Sequence, residues 1–278
     1  MEPHKLPAVR AVLFDTDGVL LDTAVSHAAA WKKAFDACLA SPLPGPPQPA
    51  FDAEGEYRAL VDGKSRFDGA RAFLRARGVD LPAGTPGDPP GCATVWAVAA
   101  AKDRALVTAL RDAEVPVFAD TVPALRALRR AGLRLAAVSA SRHARSLLAS
   151  AGLVRWFDTV LDGEQAARLA LPGKPDPALF LAAAHRLGVV PGDSALVEDA
   201  VAGVKAGRRG GFALVVGVDR RAAPGTAAAL RHHGAGVVVR DLTDLARRLG
   251  ACDAVGSGRR GASGGRSEEQ DGRGGGAA

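Results

Sequence analysis

An alternation of short apolar runs with helix-like segments is the feature that most constrains the fold of this chain. Gly, Pro and polar residues bound the runs, and stretches with helical spacing separate them from about residue 119 onward. Strands that alternate with helices predict an α/β fold, a Rossmann-like parallel sheet core with helices on its faces. The six predicted strands are AVLF (11–14), LRLAAVS (133–139), FDTVL (157–161), SALVE (194–198), FALVVGV (212–218) and GVVVR (236–240).

A long segment without strand character separates the first predicted strand from the second. Its apolar residues recur at helical spacing, and Pro- and Gly-rich loops at 41–49 and 81–91 interrupt them. This pattern predicts a helical cap domain at 25–118, inserted into a core domain made of residues 8–24 and 119–249. The three helical stretches are AVSHAAAWKKAFDACL (24–39), RFDGARAFLRARG (66–78) and VWAVAAAKDRALVTAL (95–110).

The composition bears on partners and location. The formal net charge is +6, but no compact block of Lys and Arg with interleaved aromatic residues marks a nucleic-acid surface, so the charge favours anionic small molecules. Three cysteines, odd in number and far apart, predict a reduced compartment and a cytoplasmic protein. No stretch approaches the roughly 20 apolar residues of a membrane span. A monomer without membrane or nucleic-acid partners is expected, with a disordered Gly- and Arg-rich tail at 250–278.

Polar and charged side chains follow the predicted strands where they end. Because ligands of open α/β sheets bind outside the carboxyl ends of the strands, these side chains are expected to converge. An isolated serine or lysine here has an ordinary structural explanation, but two acids after a buried strand repel each other and are costly to desolvate. The residues in question are Asp15 and Asp17 after the first strand, Ser139 and Ser141 after the second, Lys174 in a loop before a helix, and Glu198 and Asp199 at the fourth.

A divalent cation resolves the crowding of these acids. Oxygen donors from several carboxylates suit Mg²⁺, which keeps few protein ligands and binds substrate phosphate oxygens as well. A lysine and two hydroxyl groups beside the cation would hold the remaining phosphate charge. One aspartate can then attack phosphorus as a nucleophile, and the other can move a proton to or from the departing or attacking oxygen.

Four motifs, in order, resemble those of the haloacid dehalogenase-like phosphotransferase superfamily, over about residues 9–220. The resemblance implies that Asp15 becomes an aspartyl phosphate and that Asp17 is the general acid/base. It also implies that Asp15, the carbonyl of Asp17 and Asp199 hold Mg²⁺, with Glu198 assisting, while Ser139 and Lys174 complete the catalytic group. The four motifs are DTDGV (15–19), VSAS (138–141), GKPDP (173–177) and VEDAVAGVKAG (197–207).

The helical insert is similar to the cap of the β-phosphoglucomutase family. DTDGVLLDTAVSHAAAWK (15–32), VDGKSR (61–66) and AKDR (101–104) match that family's cap motifs. The similarity implies that Arg66 clamps the distal, non-transferring phosphate of a small phosphorylated sugar, a task that suits the fork of a guanidinium group. It further implies that Lys102 and His27 couple the cap to Asp17. The implied substrate-binding residues are His27, Gly63, Arg66, Lys102, Ser141, Arg142 and His143.

Structural explanations remain open for some of these cap residues. Trp31 suits packing in the cap or at the hinge, His27 could be an ordinary helix histidine, and Arg66 could lie on a helix surface. Asp103 stands where the family carries Asn, and Arg142–His143 stand where it carries Lys-Asn. Both departures are expected to alter contacts with the sugar or the phosphate.

The resemblance implies a β-phosphoglucomutase that interconverts β-D-glucose 1-phosphate and D-glucose 6-phosphate. An aspartyl phosphate and β-glucose 1,6-bisphosphate would be its intermediates. A Mg²⁺-dependent sugar-phosphate or phosphoglycolate-type phosphatase of the same superfamily is the alternative, because fold alone does not decide the reaction. A basic nucleic-acid-binding protein that uses the Arg-rich tail is a more remote hypothesis.

Overall fold

The computed structural model describes residues 6–41, 47–111 and 114–251. All six predicted strands form, and they build one parallel sheet in the order β3-β2-β1-β4-β5-β6. The predicted α/β fold with a Rossmann-like sheet is therefore confirmed. The strands are β1 (Ala11–Phe14), β2 (Arg134–Val138), β3 (Thr159–Leu161), β4 (Ser194–Glu198), β5 (Leu214–Val218) and β6 (Val237–Val239).

The first strand lies at the centre of the sheet and determines where a ligand can bind. All four residues of β1 are fully buried, because helices cover both faces of a parallel sheet. The chain leaves β1 toward β2 and β3 on one side and returns to β4, β5 and β6 on the other. Side chains at the carboxyl ends of β1, β2 and β4 therefore meet at the point where the strand order reverses, the usual ligand crevice of such sheets.

Seven helices cover the sheet in the described part of the chain. Three of them lie outside the helices that the sequence predicts: α6 (Gly163–Arg168), α9 (Thr226–His233) and α10 (Leu242–Arg248). Both α6 and α10 begin at an aspartate whose side chain accepts a backbone N–H of the first turn. Leu242 and Leu245 of α10 are buried against the sheet. The helices are α4 (Thr121–Arg130), α5 (Ala144–Ser150), α6 (Gly163–Arg168), α7 (Ala178–Arg186), α8 (Val201–Arg209), α9 (Thr226–His233) and α10 (Leu242–Arg248).

The insert after β1 is helical and has its own apolar cluster. Phe35 is central to it, with ring centroids 4.8 Å from Trp31 and 3.9 Å from Phe73. Trp31 thus packs inside the insert, as the structural explanation of this residue expects. The insert consists of α1 (Ala24–Leu39), a π-helical turn (Tyr57–Val61), α2 (Arg66–Ala76) and α3 (Val95–Leu110).

Two adjacent connections join the insert to the core. The amide of Asp22 donates to the carbonyl of Pro116 at 2.8 Å, so the outgoing and returning chains are held side by side. Arg220, after β5, donates to both carboxylate oxygens of Asp120 at 2.8 and 2.7 Å, and its guanidinium lies 4.1 Å from the ring of Phe118. These contacts fix the returning connection to the sheet.

Of the predicted tail, Gly250 and Ala251 are described, and Ala251 is buried against the core; residues 252–278 lie outside the described residues. Cys38 and Cys92 carry free thiols, and Cys252 falls outside the description. In the described ranges, no helix combines the length and apolar character that a membrane crossing needs. The exact domain boundaries, the monomeric state and the cytoplasmic location stay predictions.

Candidate active site

The carboxyl ends of the central strands and the facing side of the insert line a cavity of about 60 Å³. Ten predicted site residues line it: Asp15, Asp17, His27, Gly63, Arg66, Lys102, Ser139, Ser141, Arg142 and Asp199. The other three lie one layer further back. Lys174 contacts Asp15, Glu198 contacts Lys174, and His143 contacts Asp103.

Lys174 is the buried cation at the acidic end of the site. Its ammonium group donates to Oδ1 of Asp15 at 2.5 Å and to Oε1 of Glu198, and the side chain is 1% exposed. Burial alone would lower the pKa of Lys174, but Asp15 and Glu198 outweigh burial and raise it. The second oxygen of Glu198 accepts the amide of Ala200 at 2.9 Å. Glu198 therefore orients Lys174, and Lys174 in turn fixes the Asp15 carboxylate.

Three carboxylates crowd together beside this lysine. Asp15, Glu198 and Asp199 each place an oxygen within 4.8 Å of the others. Burial raises the pKa of Asp15 well above its usual value although Lys174 opposes it, and burial together with Asp62 raises that of Asp199. This oxygen-rich excess of negative charge fits a divalent cation such as Mg²⁺. Because Lys174 and Ala200 engage both oxygens of Glu198, the carboxylates of Asp15 and Asp199 are the freer candidates for binding a cation.

Gly18 allows the two acidic motifs to approach each other. Its backbone has φ of +80°, and a Cβ atom placed there would lie 1.9 Å from Oδ2 of Asp199. Any larger residue would strain the turn and displace the Asp199 carboxylate. The fourth position of the DTDGV motif therefore requires glycine for steric reasons.

The Asp17 carboxylate, unlike the three crowded acids, is surrounded by hydrogen-bond donors. Its carboxylate accepts from Oγ1 of Thr23 at 2.6 Å and from Oγ of Ser139 at 3.1 Å, and Nε2 of His27 lies 3.3 Å away. Burial alone would raise the pKa of Asp17, but His27 and the two hydroxyl groups outweigh it and hold the pKa well below its usual value. In this closed arrangement Asp17 is an ionised base.

A row of buried groups connects the insert to Asp17. Nζ of Lys102, on α3, lies 3.2 Å from Nδ1 of His27, on α1. Burial and then Lys102 lower the pKa of His27, although Asp17 opposes them. Because the lysine ammonium donates to Nδ1, the neutral imidazole carries its proton on Nε2, which faces Asp17. The position of the insert is thereby coupled to the environment of Asp17.

The far end of the cavity, under the insert, is basic. Arg66 begins α2, and its Nε is buried without a hydrogen-bond partner. Its guanidinium lies 5.4 Å from the ring of Trp96, which favours a planar cation. Gly63, with φ of +71°, brings the preceding loop so close to the core that a Cβ atom would lie 2.8 Å from that of Ala200. A buried guanidinium N–H without a hydrogen-bond partner at the wall of this cavity is suited to an anion.

Asp103 and the pair Arg142–His143, which differ from the residues that the β-phosphoglucomutase family carries at these positions, lie together at this basic end. Nε2 of His143 lies 2.8 Å from Oδ1 of Asp103, and Nη1 of Arg142 lies 3.8 Å from Oδ2. Arg142 also donates to Glu164 at 3.2 Å. Asp103 belongs to α3 of the insert, whereas Arg142 and His143 follow β2 of the core. These residues therefore form an ion-paired contact between the insert and the core.

Tyr57 and Asp62 line the same cavity but are absent from the predicted site. Burial, with Glu198 next, raises the pKa of Asp62 to about 7, and the Tyr57 hydroxyl is its hydrogen-bonding neighbour. Asp62 belongs to the VDGKSR stretch, and its place directly before the predicted substrate-binding residue Gly63 is a sequence signal that marks it. Tyr57, the single tyrosine of the chain, carries no sequence pattern.

The chain is similar in sequence and in fold to known proteins. A profile described as haloacid dehalogenase-like hydrolase matches residues 9–211. The chain is 46% identical over 239 residues to a β-phosphoglucomutase of Mycobacterium bovis, a match covering 85% of this chain and 91% of that protein. It is 28% identical over 207 residues to a fructose-1-phosphate phosphatase of Escherichia coli, covering 73% and 94% of the two chains. A β-phosphoglucomutase crystal structure from Clostridium difficile shares the fold, with a TM-score of 0.67 at 23% identity, covering 85% and 93%.

Proposed function

Because the chain belongs to the haloacid dehalogenase-like hydrolases, within the β-phosphoglucomutase family, we propose that it interconverts β-D-glucose 1-phosphate and D-glucose 6-phosphate. The observation that carries this proposal is the distribution of charge along one cavity between the sheet and the insert. Its core end holds Asp15 and Asp17, and its insert end holds the unpartnered Nε of Arg66. A sugar with phosphate positions at both ends matches such a cavity better than a substrate with one charged group.

The proposed reaction starts from the enzyme phosphorylated on Asp15. The 6-hydroxyl of β-glucose 1-phosphate attacks phosphorus, its proton passes to Asp17, and the bond between phosphorus and the Asp15 oxygen breaks. The resulting β-glucose 1,6-bisphosphate turns round, and Asp15 attacks the phosphate at C1. The proton on Asp17 then passes to the departing O1, so that glucose 6-phosphate leaves and the phosphoenzyme is restored.

The neighbouring residues support both half-reactions. Lys174 holds the Asp15 carboxylate, and Ser139 orients Asp17 by a hydrogen bond at 3.1 Å. Mg²⁺ held by Asp15, the Asp17 carbonyl and Asp199 would neutralise charge on the phosphoryl oxygens when bound. The insert closes the cavity over these groups and excludes water, which protects the acyl phosphate from hydrolysis.

A phosphatase of the same superfamily is the second candidate function. The similarity to a fructose-1-phosphate phosphatase favours it, because the acidic core end serves hydrolysis equally well. The two candidates differ in what attacks the phosphorylated Asp15: a sugar hydroxyl in the mutase and water in the phosphatase.

One assay separates the two candidates. The full-length protein is incubated with Mg²⁺, β-glucose 1-phosphate and a trace of β-glucose 1,6-bisphosphate, and glucose 6-phosphate and inorganic phosphate are measured in parallel. The mutase predicts glucose 6-phosphate with little phosphate release, and the α-anomer serves as the control substrate. Phosphate release without isomerisation would establish the phosphatase instead.

Arg66→Ala is expected to weaken binding of the distal phosphate. Loss of a buried, charge-assisted contact costs about 1.5–3 kcal/mol, so KM for β-glucose 1-phosphate should rise by about 10- to 100-fold. Steady-state kinetics measures the change. Arg71→Ala on the same helix is the matched control, because Arg71 is half-exposed and pairs with Asp68 within α2. An unchanged KM in Arg66→Ala would place the distal phosphate elsewhere.

A further inference from the structure

The basic end of the cavity contains one carboxylate among the described residues that line it. Arg66, Lys102 and Arg142 supply positive charge there, and Asp103 supplies the negative charge; Glu164, which pairs with Arg142 at 3.2 Å, does not line the cavity. Of the other lining acids, Asp15, Asp17 and Asp199 lie at the carboxyl ends of the strands, and Asp62, although it belongs to the insert, lies near Glu198 and Asp199. An acid at the anion-binding end works against the attraction that this end exerts on a phosphate group.

Asp103 is already engaged with the groups that would hold an anion. Its Oδ1 lies 2.8 Å from Nε2 of His143, and its Oδ2 lies 3.8 Å from Nη1 of Arg142. Although burial opposes them, His143 and then Arg66 and Lys102 lower the pKa of Asp103, so it is ionised. Arg66 keeps its Nε unpartnered. Asp103 therefore neutralises part of the positive charge of the basic end before a ligand binds. The Nε–H group of Arg66 stays available to an anion.

We propose that Asp103 is a specificity-determining residue, a built-in counter-anion that lowers the affinity of the basic end for the distal phosphate. The inference rests on the proposed function, since it assumes that a sugar phosphate places its distal group there. A phosphate dianion bound there and the Asp103 carboxylate repel each other while both face Arg142 and Arg66. Weaker binding of the distal phosphate would let the bisphosphate intermediate leave the basic end more easily when it turns round.

Equilibrium binding tests this role apart from turnover. The parent protein carries Asp15→Asn, which blocks transfer, and glucose 6-phosphate is titrated calorimetrically with Mg²⁺ present. Adding Asp103→Asn removes the charge but keeps an oxygen that accepts from His143, so the Kd should fall on the order of tenfold. Asp103→Ser should also bind more tightly than the parent, and Asp103→Glu should keep the parental Kd. Equal or weaker binding by both neutral variants would overturn the proposal.

Two readouts separate a charge effect from a merely structural one. Binding of glucose, which lacks phosphate, should be the same in the parent and in Asp103→Asn. Rising KCl should weaken glucose 6-phosphate binding more steeply in Asp103→Asn, because one more positive charge is left uncompensated. A gain in affinity that is insensitive to salt, or shared by glucose, contradicts a counter-anion.

Failure of the proposed function gives a different result. If glucose 6-phosphate binds neither the parent nor Asp103→Asn, the sugar-phosphate proposal fails, and titration of inorganic phosphate then tests Asp103 alone. Tighter phosphate binding by Asp103→Asn supports the counter-anion, and equal binding overturns it. If glucose 6-phosphate binds every variant with one Kd, the proposed substrate stands and the role of Asp103 is wrong.

Discussion

Asp15→Asn should lower kcat for glucose 6-phosphate formation by about four orders of magnitude or more. An amide is a poor nucleophile and forms no stable acyl phosphate, so the loss of a covalent nucleophile removes the chemical step itself. The coupled assay measures the rate. Intact-protein mass spectrometry after incubation with β-glucose 1,6-bisphosphate should show one added phosphoryl group on the unmodified chain and none on the variant.

The variant is expected to fold, which makes its inactivity informative. Lys174 retains Glu198 as its partner, and the substitution removes one of three crowded carboxylates. Asp22→Asn is the matched control: Asp22 lies in the same stretch of sequence, and its half-exposed carboxylate lies 3.5 Å from Arg221. Turnover by Asp15→Asn, or a phosphoryl group on another residue, would show that the nucleophile is misassigned.

The sheet could be predicted because each of its strands is marked by residues that are adjacent in the sequence. Each strand is a short apolar run with a polar or glycine boundary, and the order of strands and helices leaves few parallel topologies. The acidic end of the site followed from the same logic, since Asp15 and Asp199 come directly after buried strands. Lys174 comes from a loop, and the structure places its ammonium group 2.5 Å from Oδ1 of Asp15.

The side-chain contacts at the insert end of the site could not be predicted in the same detail, because they depend on how the insert packs against the core. Asp103 and His143 were recognised as departures, but their contact joins residues 40 positions apart on separate elements. No local pattern encodes that pairing. Asp62 lies near Glu198 for the same reason, since the loop at Gly63 packs against Ala200.

Asp17→Asn should slow glucose 6-phosphate formation by about 10²- to 10⁴-fold, the usual effect of losing a general acid/base. Asparagine can still accept from Thr23 and Ser139, so the turn should keep its shape while the proton carrier is lost. The coupled assay measures the rate of the variant beside that of Thr23→Val, which removes a hydrogen bond but leaves the carboxylate and should lose less activity.

Labelling by acetyl phosphate distinguishes proton transfer from a structural role of Asp17. Its acetate leaving group needs no proton, whereas the sugar oxygen of the bisphosphate does. Asp17→Asn should therefore still acquire a phosphoryl group on Asp15 from acetyl phosphate, detected by intact mass, while it forms little glucose 6-phosphate. If the variant loses both reactions equally, Asp17 serves to position Asp15 or the metal. Retention of labelling alone indicates a base that His27, Thr23 and Ser139 keep ionised until the sugar hydroxyl delivers its proton.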